Sequence, residues 1–285
     1  MRIRLCGFAD EASAFLDTQI RALQENNISL IELRNINGKN IKDVTLEEAE
    51  NYAARLEETG IEVWAIGSPL GKIGIEDDFD HHLEEARHIF RLAKIFNTKR
   101  IRIFSFFLKD YNKYEELVIR RLKRLLEEAK KHGMLLFHEN EKDIYGDRVE
   151  RVLKLKTALP DLRLVFDPAN YLQCREDINE AIEKLHNKTD YFHIKDVVKA
   201  TGEIVPAGYG DGKIEEIVNR LEKETVLTLE PHLAIFSGYE KIDSTNLRTK
   251  FRFSTNEEAF DFAVISIKQI LMKCGYQEKE GYWVK

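Results

Sequence analysis

Residues 134–142 read MLLFHENEK. Four apolar residues in a row suit a strand buried on both faces, yet they run straight into His138, Glu139, Asn140 and Glu141. Groups that are costly to dehydrate mean little at the end of one strand. They mean more if other strands of the chain end the same way.

Apolar stretches recur along the chain, each followed by a helical pattern. The strand candidates are IRLCGFA from Ile3, LIELR from Leu30, EVWAIGS from Glu62, IRIFSF from Ile101, LLFHEN from Leu135, LRLVFDPAN from Leu162, YFHIKD from Tyr191 and VLTLEP from Val226. Between them, TLEEAENYAARLEETG opens with a capping box, Thr45 with Glu48, and stops on Gly60. Leu83, Ala86, Phe90 and Ala93 share one helical face, as do Val118, Leu122, Leu125 and Ala129 before Gly133. A last helix is expected in NEEAFDFAVISIKQILMKCG. Strands joined by crossover helices must pair in parallel, and a closed barrel of eight such units takes about 250 residues. The chain has 285 residues and no Pro/Gly/Ser-rich linker, so one TIM-barrel domain over 1–285 is expected. The alternative is an open doubly wound sheet, but the first turn, CGFADEAS, lacks the G-x-G-x-x-G fingerprint. The expected fold class is α/β, a (β/α)8 barrel.

Composition narrows the function. With 43% hydrophobic and 33% charged residues, the chain suits a soluble globular protein, and no apolar run is long enough to span a bilayer. The start MRIRLCGFADEAS lacks a signal-peptide pattern, and three scattered cysteines, Cys6, Cys174 and Cys274, suit a reducing cytoplasm. A net charge of −6 without a basic block argues against nucleic acid as a partner.

In a parallel barrel the C-terminal strand ends form the active site. Four consecutive strands carry metal-ligand residue types there: Glu139, Asp167, His193 and Glu230. Neighbouring strands lie about 4.8 Å apart, so the four converge over the mouth. Three carboxylates so close repel one another and resist ionisation; a divalent cation removes the difficulty. Three oxygens and one imidazole suit Mn²⁺, Mg²⁺, Co²⁺ or Zn²⁺ alike. Each residue alone has a plainer reading, as a helix N-cap, a rim ion pair or a core histidine. Four in succession favour one metal ion.

The stretches LLFHENEKDIYGD, VFDPANY, YFHIKD with PAGYGDGKI, and LTLEPHL resemble the xylose isomerase-like TIM barrel family, whose members are called sugar phosphate isomerases/epimerases; endonuclease IV is a distant relative. The resemblance extends over GFADE, ELRNINGKNI, SPLGKIG and IRIFSF, nearly the whole chain. It implies that Glu139, Asp167, His193 and Glu230 bind the metal, and that Glu139 and Glu230 also move the proton. Two departures stand out. The epimerases usually have His three residues after the Asp ligand, where this chain has Asn170. The strand ends AIGS and IFSF lack the extra histidines with which endonuclease IV holds further metal ions.

Other residues admit two roles each. Arg34 grips a substrate anion or pairs with Glu32 on its own face. Lys72 belongs to a lid over the mouth or is a solvated loop lysine. Lys195 stabilises an enediolate oxygen or closes an ion pair within HIKD. The Asn170 amide binds a substrate hydroxyl, and His232 binds substrate or has a structural role. The glycines of GYGDGK are a weak phosphate-cradle signal. His81, His82 and His88 face solvent or pack, Phe104, Phe106 and Phe107 pack in the core or line a sugar-facing apolar wall, and CGYQEKEGYWVK carries no evident chemistry. The leading expectation is a metal-dependent isomerase or epimerase acting on a small sugar, sugar phosphate or hydroxy-ketone through an enediolate. A lyase or dehydratase with the same first step, and a barrel that binds ligand without turnover, are the alternatives.

Overall fold

The computed structural model describes residues 1–234 and 251–285. The expected apolar stretches form eight strands: β1 Arg2–Gly7, β2 Leu30–Leu33, β3 Glu62–Gly67, β4 Arg100–Ile103, β5 Leu135–Glu139, β6 Arg163–Phe166, β7 Tyr191–Ile194 and β8 Thr225–Leu229. Each pairs in parallel with the next, and β8 pairs back onto β1, with Ile3 opposite Thr225 and Gly7 opposite Leu229. The sheet therefore closes into the (β/α)8 barrel that the sequence predicts.

The helices cover the outside of the barrel: α1 Leu16–Glu25, α2 Leu46–Glu58, α3 Phe79–Ile95, α4 Tyr111–His132, α5 Val149–Ala158, α6 Pro168–Gln173, α7 Ile178–Leu185, α8 Ile214–Asn219 and α9 Asn256–Lys273. Both hydrogen bonds of the Thr45–Glu48 capping box are made, and Gly133 ends α4 in the left-handed conformation that spares a side chain. Alternation along the strands separates two apolar clusters. Cys6, Leu30, Phe137, Val165, Tyr191 and Val226 pack together apart from the main core, which lies between sheet and helices. Phe137, Tyr191 and Val226 sit two residues before Glu139, His193 and Thr228 on the same face, so this inner plug floors the mouth.

Two stretches depart from expectation. Strand β6 stops at Phe166, because Pro168 opens α6 with Asp167 as its N-cap. The C-terminal stretch forms a hairpin, Gln277–Lys279 with Tyr282–Val284, which pairs antiparallel with the start of β1. Its turn residues Glu280 and Gly281 both have positive φ, the requirement of a type I′ turn. Among the described residues, no helix is long and apolar enough to cross a membrane.

A candidate metal centre at the barrel mouth

Glu139 is the last residue of β5, His193 lies within β7, and Glu230 follows β8, where its N–H donates to Ile194 O at 3.2 Å. Asp167 lies beyond the β6 ladder but is held in line with it. The Asn140 side chain donates to Asp167 O and accepts from Asp167 N, both at 2.9 Å, imitating a strand neighbour. One Asp167 carboxylate oxygen, Oδ1, accepts the Asn170 N–H as an N-cap, while Oδ2 turns toward the mouth. The cap and candidate-ligand roles thus coexist in one side chain. A donor atom from each of the four residues lies within 4.8 Å of the others, and all four residues are buried.

His193 organises the group. Its Nδ1 lies 3.1 Å from Glu139 Oε1 and 3.4 Å from Glu230 Oε2, close but not aligned as hydrogen bonds. Burial alone would depress His193; Glu139 and Glu32 raise it well above its ordinary value. Burial also pushes Asp167 up to about 7 against the opposing pull of Lys195. For Glu230, Lys195, His193 and His232 overcome the effect of burial and hold it well below the usual carboxylate range. Glu139 is also lowered, chiefly by His193 working against burial. Among the described residues, three buried atoms that face the mouth, Glu139 Oε2, Asp167 Oδ2 and His193 Nδ1, have charged neighbours but no aligned hydrogen bond. Such atoms in a core need a partner, and three carboxylates with one imidazole form a donor set that fits a divalent cation.

Cations surround this set, with partners the sequence did not show. Lys195 Nζ contacts Asp167 Oδ2 at 2.9 Å and Glu230 Oε2 at 3.3 Å. Arg34 binds Asp10 through two nitrogens at 2.9 and 3.0 Å, Glu11 at 3.2 Å and Glu230 at 2.8 Å. It does not pair with Glu32. Arg34 lies past the end of β2, whereas Glu32 points inward to Tyr191 and His193. Arg102 Nε comes within 3.3 Å of Glu139 Oε2. The Asn170 amide donates to Asn140 O at 2.9 Å and to Glu139 Oε1 at 3.3 Å, so it braces the centre. His232, at a left-handed φ of 48°, brings Nε2 to 3.5 Å from Glu11 and 3.6 Å from Glu230. Glu11, Glu230 and His232 form a second group with ligand-type atoms, but Arg34 already supplies positive charge to two of its members.

Lys72 stands apart from the four donors. It is not a solvated loop lysine, because its Nζ pairs with Glu141 at 2.9 Å and lies over the Phe104 ring. Its loop is fastened to β4: Phe104 N donates to Leu70 O and Phe106 N to Gly71 O, and a Cβ on Gly71 would lie 2.1 Å from Phe104 O. His82 accepts from Gly71 N at 2.9 Å and so packs under this loop, while His81 is exposed. Phe104 and Phe106 are buried as expected, whereas Phe107 is 40% exposed. The GYGDGK amides do cradle an anion, but it belongs to the chain. Gly208, Gly210 and Gly212 donate to the Asp196 carboxylate at 2.8–3.1 Å, which also removes Asp196 as a partner for Lys195. A cavity of about 1010 Å³ between α4 and α5, lined by Lys123, Leu126, Leu135 and Arg163, opens at the opposite end of the barrel.

Asp10, Glu11, Glu32, Arg102 and Asn140 belong to the site and carry no chemical assignment from sequence. A usable signal existed for Arg102, a charge inside the apolar run IRIF. For Asp10 and Glu11, which lie in a 3-10 turn after β1, no local pattern marks the role.

The sequence matches the xylose isomerase-like TIM barrel family over residues 20–241, and the chain belongs to that family. Comparison with curated proteins gives no match. Among solved structures, the fold is similar to the IolI protein with a bound zinc atom (TM-score 0.73, 16% identity, covering 95% of this chain and 98% of that one). It is also similar to the probable 3-DHS dehydratase AsbF involved in petrobactin synthesis from Bacillus anthracis (TM-score 0.70, 18% identity, 93% and 97%). A third similar structure is an L-ribulose 3-epimerase (TM-score 0.68, 16% identity, 96% and 95%). Proteins of this fold thus include an epimerase and a probable dehydratase, and at these identities the likeness speaks for the fold alone.

Proposed function

We propose that this protein is a metal-dependent isomerase or epimerase that moves a proton next to the carbonyl of a small sugar, sugar phosphate or hydroxy-ketone. The observation that carries the reading is the convergence of four buried donor residues at the barrel mouth, three of them with an atom that has no aligned hydrogen bond among the described residues. Glu139, Asp167, His193 and Glu230 are the residues that would hold one divalent ion, and a zinc atom in the IolI structure supports that assignment. When bound, such an ion supplies Lewis acidity that makes a C–H beside a carbonyl easier to deprotonate.

The chain's own residues do the rest. One of Glu139 and Glu230 takes the proton and the other returns it, on the opposite face for epimerisation or at the neighbouring carbon for isomerisation. Their surroundings make them unequal. Glu230 is held by Arg34 and Lys195, whereas Glu139 faces Arg102 and the Asn170 amide. Glu230 is therefore the weaker base, and Glu139 is assigned the first proton transfer. Lys195 presents a buried ammonium beside two of the donors and stabilises developing negative charge on the substrate oxygen. Arg34, Asn170 and His232 hold this constellation in shape and border the substrate, and Lys72, paired with Glu141 in the fixed loop after β3, supplies a further positive charge near the mouth.

The test is a screen of ketoses, inositol-like ketones and their phosphates for metal-dependent exchange of a substrate hydrogen with solvent deuterium. Exchange lost in Glu139→Gln supports the reading; no exchange across the screen favours a barrel that binds without turnover. The dehydratase among the structural neighbours supplies a second reading. A product lighter by one water identifies it.

A further inference from the structure

His193 is gripped from four sides. The Phe8 and Tyr191 rings meet its ring edge-on at centroid distances of 5.2 and 5.5 Å. Its Nδ1 faces Glu139 and Glu230, while its Nε2 lies 3.3 Å from Glu32 Oε2. Glu32 comes from β2, across the barrel interior, and is 1% exposed. Its second oxygen accepts the Tyr191 hydroxyl at 3.0 Å, and Tyr191 is itself wedged against Trp64 and Phe137. The carboxylate therefore has one oxygen anchored and the other aimed at the imidazole. A neutral imidazole carries its proton on one nitrogen only, and a carboxylate can accept but not donate. The Nε2 contact with Glu32 is aligned as a hydrogen bond and the Nδ1 contacts are not, so with an ion at the centre the neutral ring carries its proton on Nε2 and its lone pair on Nδ1. A half-turn of the ring would set a carbon against Glu32 and forfeit that bond.

We propose that Glu32 is the positioning residue of the metal centre: by accepting the His193 Nε2–H it fixes the tautomer and ring orientation that direct Nδ1 toward the ion. The inference rests on the metal reading above and extends it to a residue that touches neither ion nor substrate. Partners of this kind on a ligating histidine typically change metal affinity by about 10-fold to 100-fold when removed.

The experiment uses the full chain, zinc-loaded and labelled with ¹⁵N-histidine, with the His193 resonances recognised by their loss in His193→Ala. The expected spectrum shows the proton on Nε2. A proton on Nδ1 overturns the proposal, and this measurement needs no change at Glu32. In parallel, zinc affinity is measured by chelator competition, and the fold of the chelator-treated protein by thermal unfolding. Glu32→Ala should lose about 10-fold to 100-fold in affinity, with Glu32→Gln, which keeps an acceptor oxygen, falling between it and wild type. Wild-type affinity in a folded Glu32→Ala refutes the positioning role. If Glu32→Ala does not fold, Glu32→Gln and the wild-type spectrum decide. If wild type binds zinc no better than His193→Ala, the metal reading itself fails and takes this proposal with it.

Discussion

Lys195→Met should bind a divalent metal ion more tightly than wild type while turning over less. The Lys195 ammonium stands 2.9 Å from Asp167 Oδ2 and 3.3 Å from Glu230 Oε2, atoms of two of the four donor residues. With oxygen–ion distances of about 2.1 Å, an ion on those atoms lies about 5 Å or less from Nζ. Coulomb's law at an effective dielectric of about 20 gives about 7 kcal/mol of repulsion there, and about 3 kcal/mol if the side chain withdraws to about 10 Å. Methionine keeps the length of the stem and removes the charge. One term opposes the gain. Burial already raises Asp167 to about 7 with Lys195 in place, and without the ammonium it holds a proton more strongly. Each unit of that rise costs about 1.4 kcal/mol when the metal must displace the proton, so about two units are needed to cancel even the smaller repulsion. At about pH 8.5, where proton competition is weakened, chelator competition should therefore show at least about tenfold tighter binding. Turnover should fall by about 10² or more, as for other donors to a developing oxyanion. Equal or weaker metal binding by a folded Lys195→Met protein refutes the reasoning, because the ammonium would then not compete with the ion.

Four further outcomes are expected. Elemental analysis after chelator treatment and reloading should find about one ion per chain, and Asp167→Asn or His193→Ala should lose about 10-fold or more in affinity because each removes a ligand atom; wild-type affinity in both variants rules out the site. Glu139→Gln, saturated with metal, should lose solvent exchange, whereas Glu230→Gln should retain part of it and fail to complete the reaction; two variants with wild-type turnover exclude the two-glutamate mechanism. The protein should not cleave DNA at abasic sites, and cleavage by nuclease-free protein that disappears in Glu230→Gln would contradict the sugar reading. Arg34→Met should destabilise the fold by about 3–5 kcal/mol in denaturant titration, since it strips Asp10, Glu11 and Glu230 of their shared buried cation; a loss below about 1 kcal/mol would place Arg34 among weakly coupled pairs.

The barrel was legible because its signals are local. Strand alternation, caps such as Thr45–Glu48 and stops such as Gly133 depend on a few neighbouring residues. The same locality put Glu139, His193 and Glu230 at strand ends on one face, and closure of the sheet brings their donor atoms within 4.8 Å. Asp167 was legible as an end-of-strand acid, although its cap on α6 depends on Pro168 and its alignment on Asn140. What sequence left undecided was partnership. Glu32 and Arg34 share a face on paper, yet Glu32 meets His193 from 161 positions away and Arg34 meets Glu230 from 196. Spacing along one strand says which way a side chain points; it does not say what stands opposite. That depends on which strands closure sets across the interior from one another. Because the charged groups at the mouth are buried, each must then take the partner it finds there. The chemistry of the mouth was therefore visible in the residue types, but which groups hold, orient and neutralise one another was decided only by the closed fold.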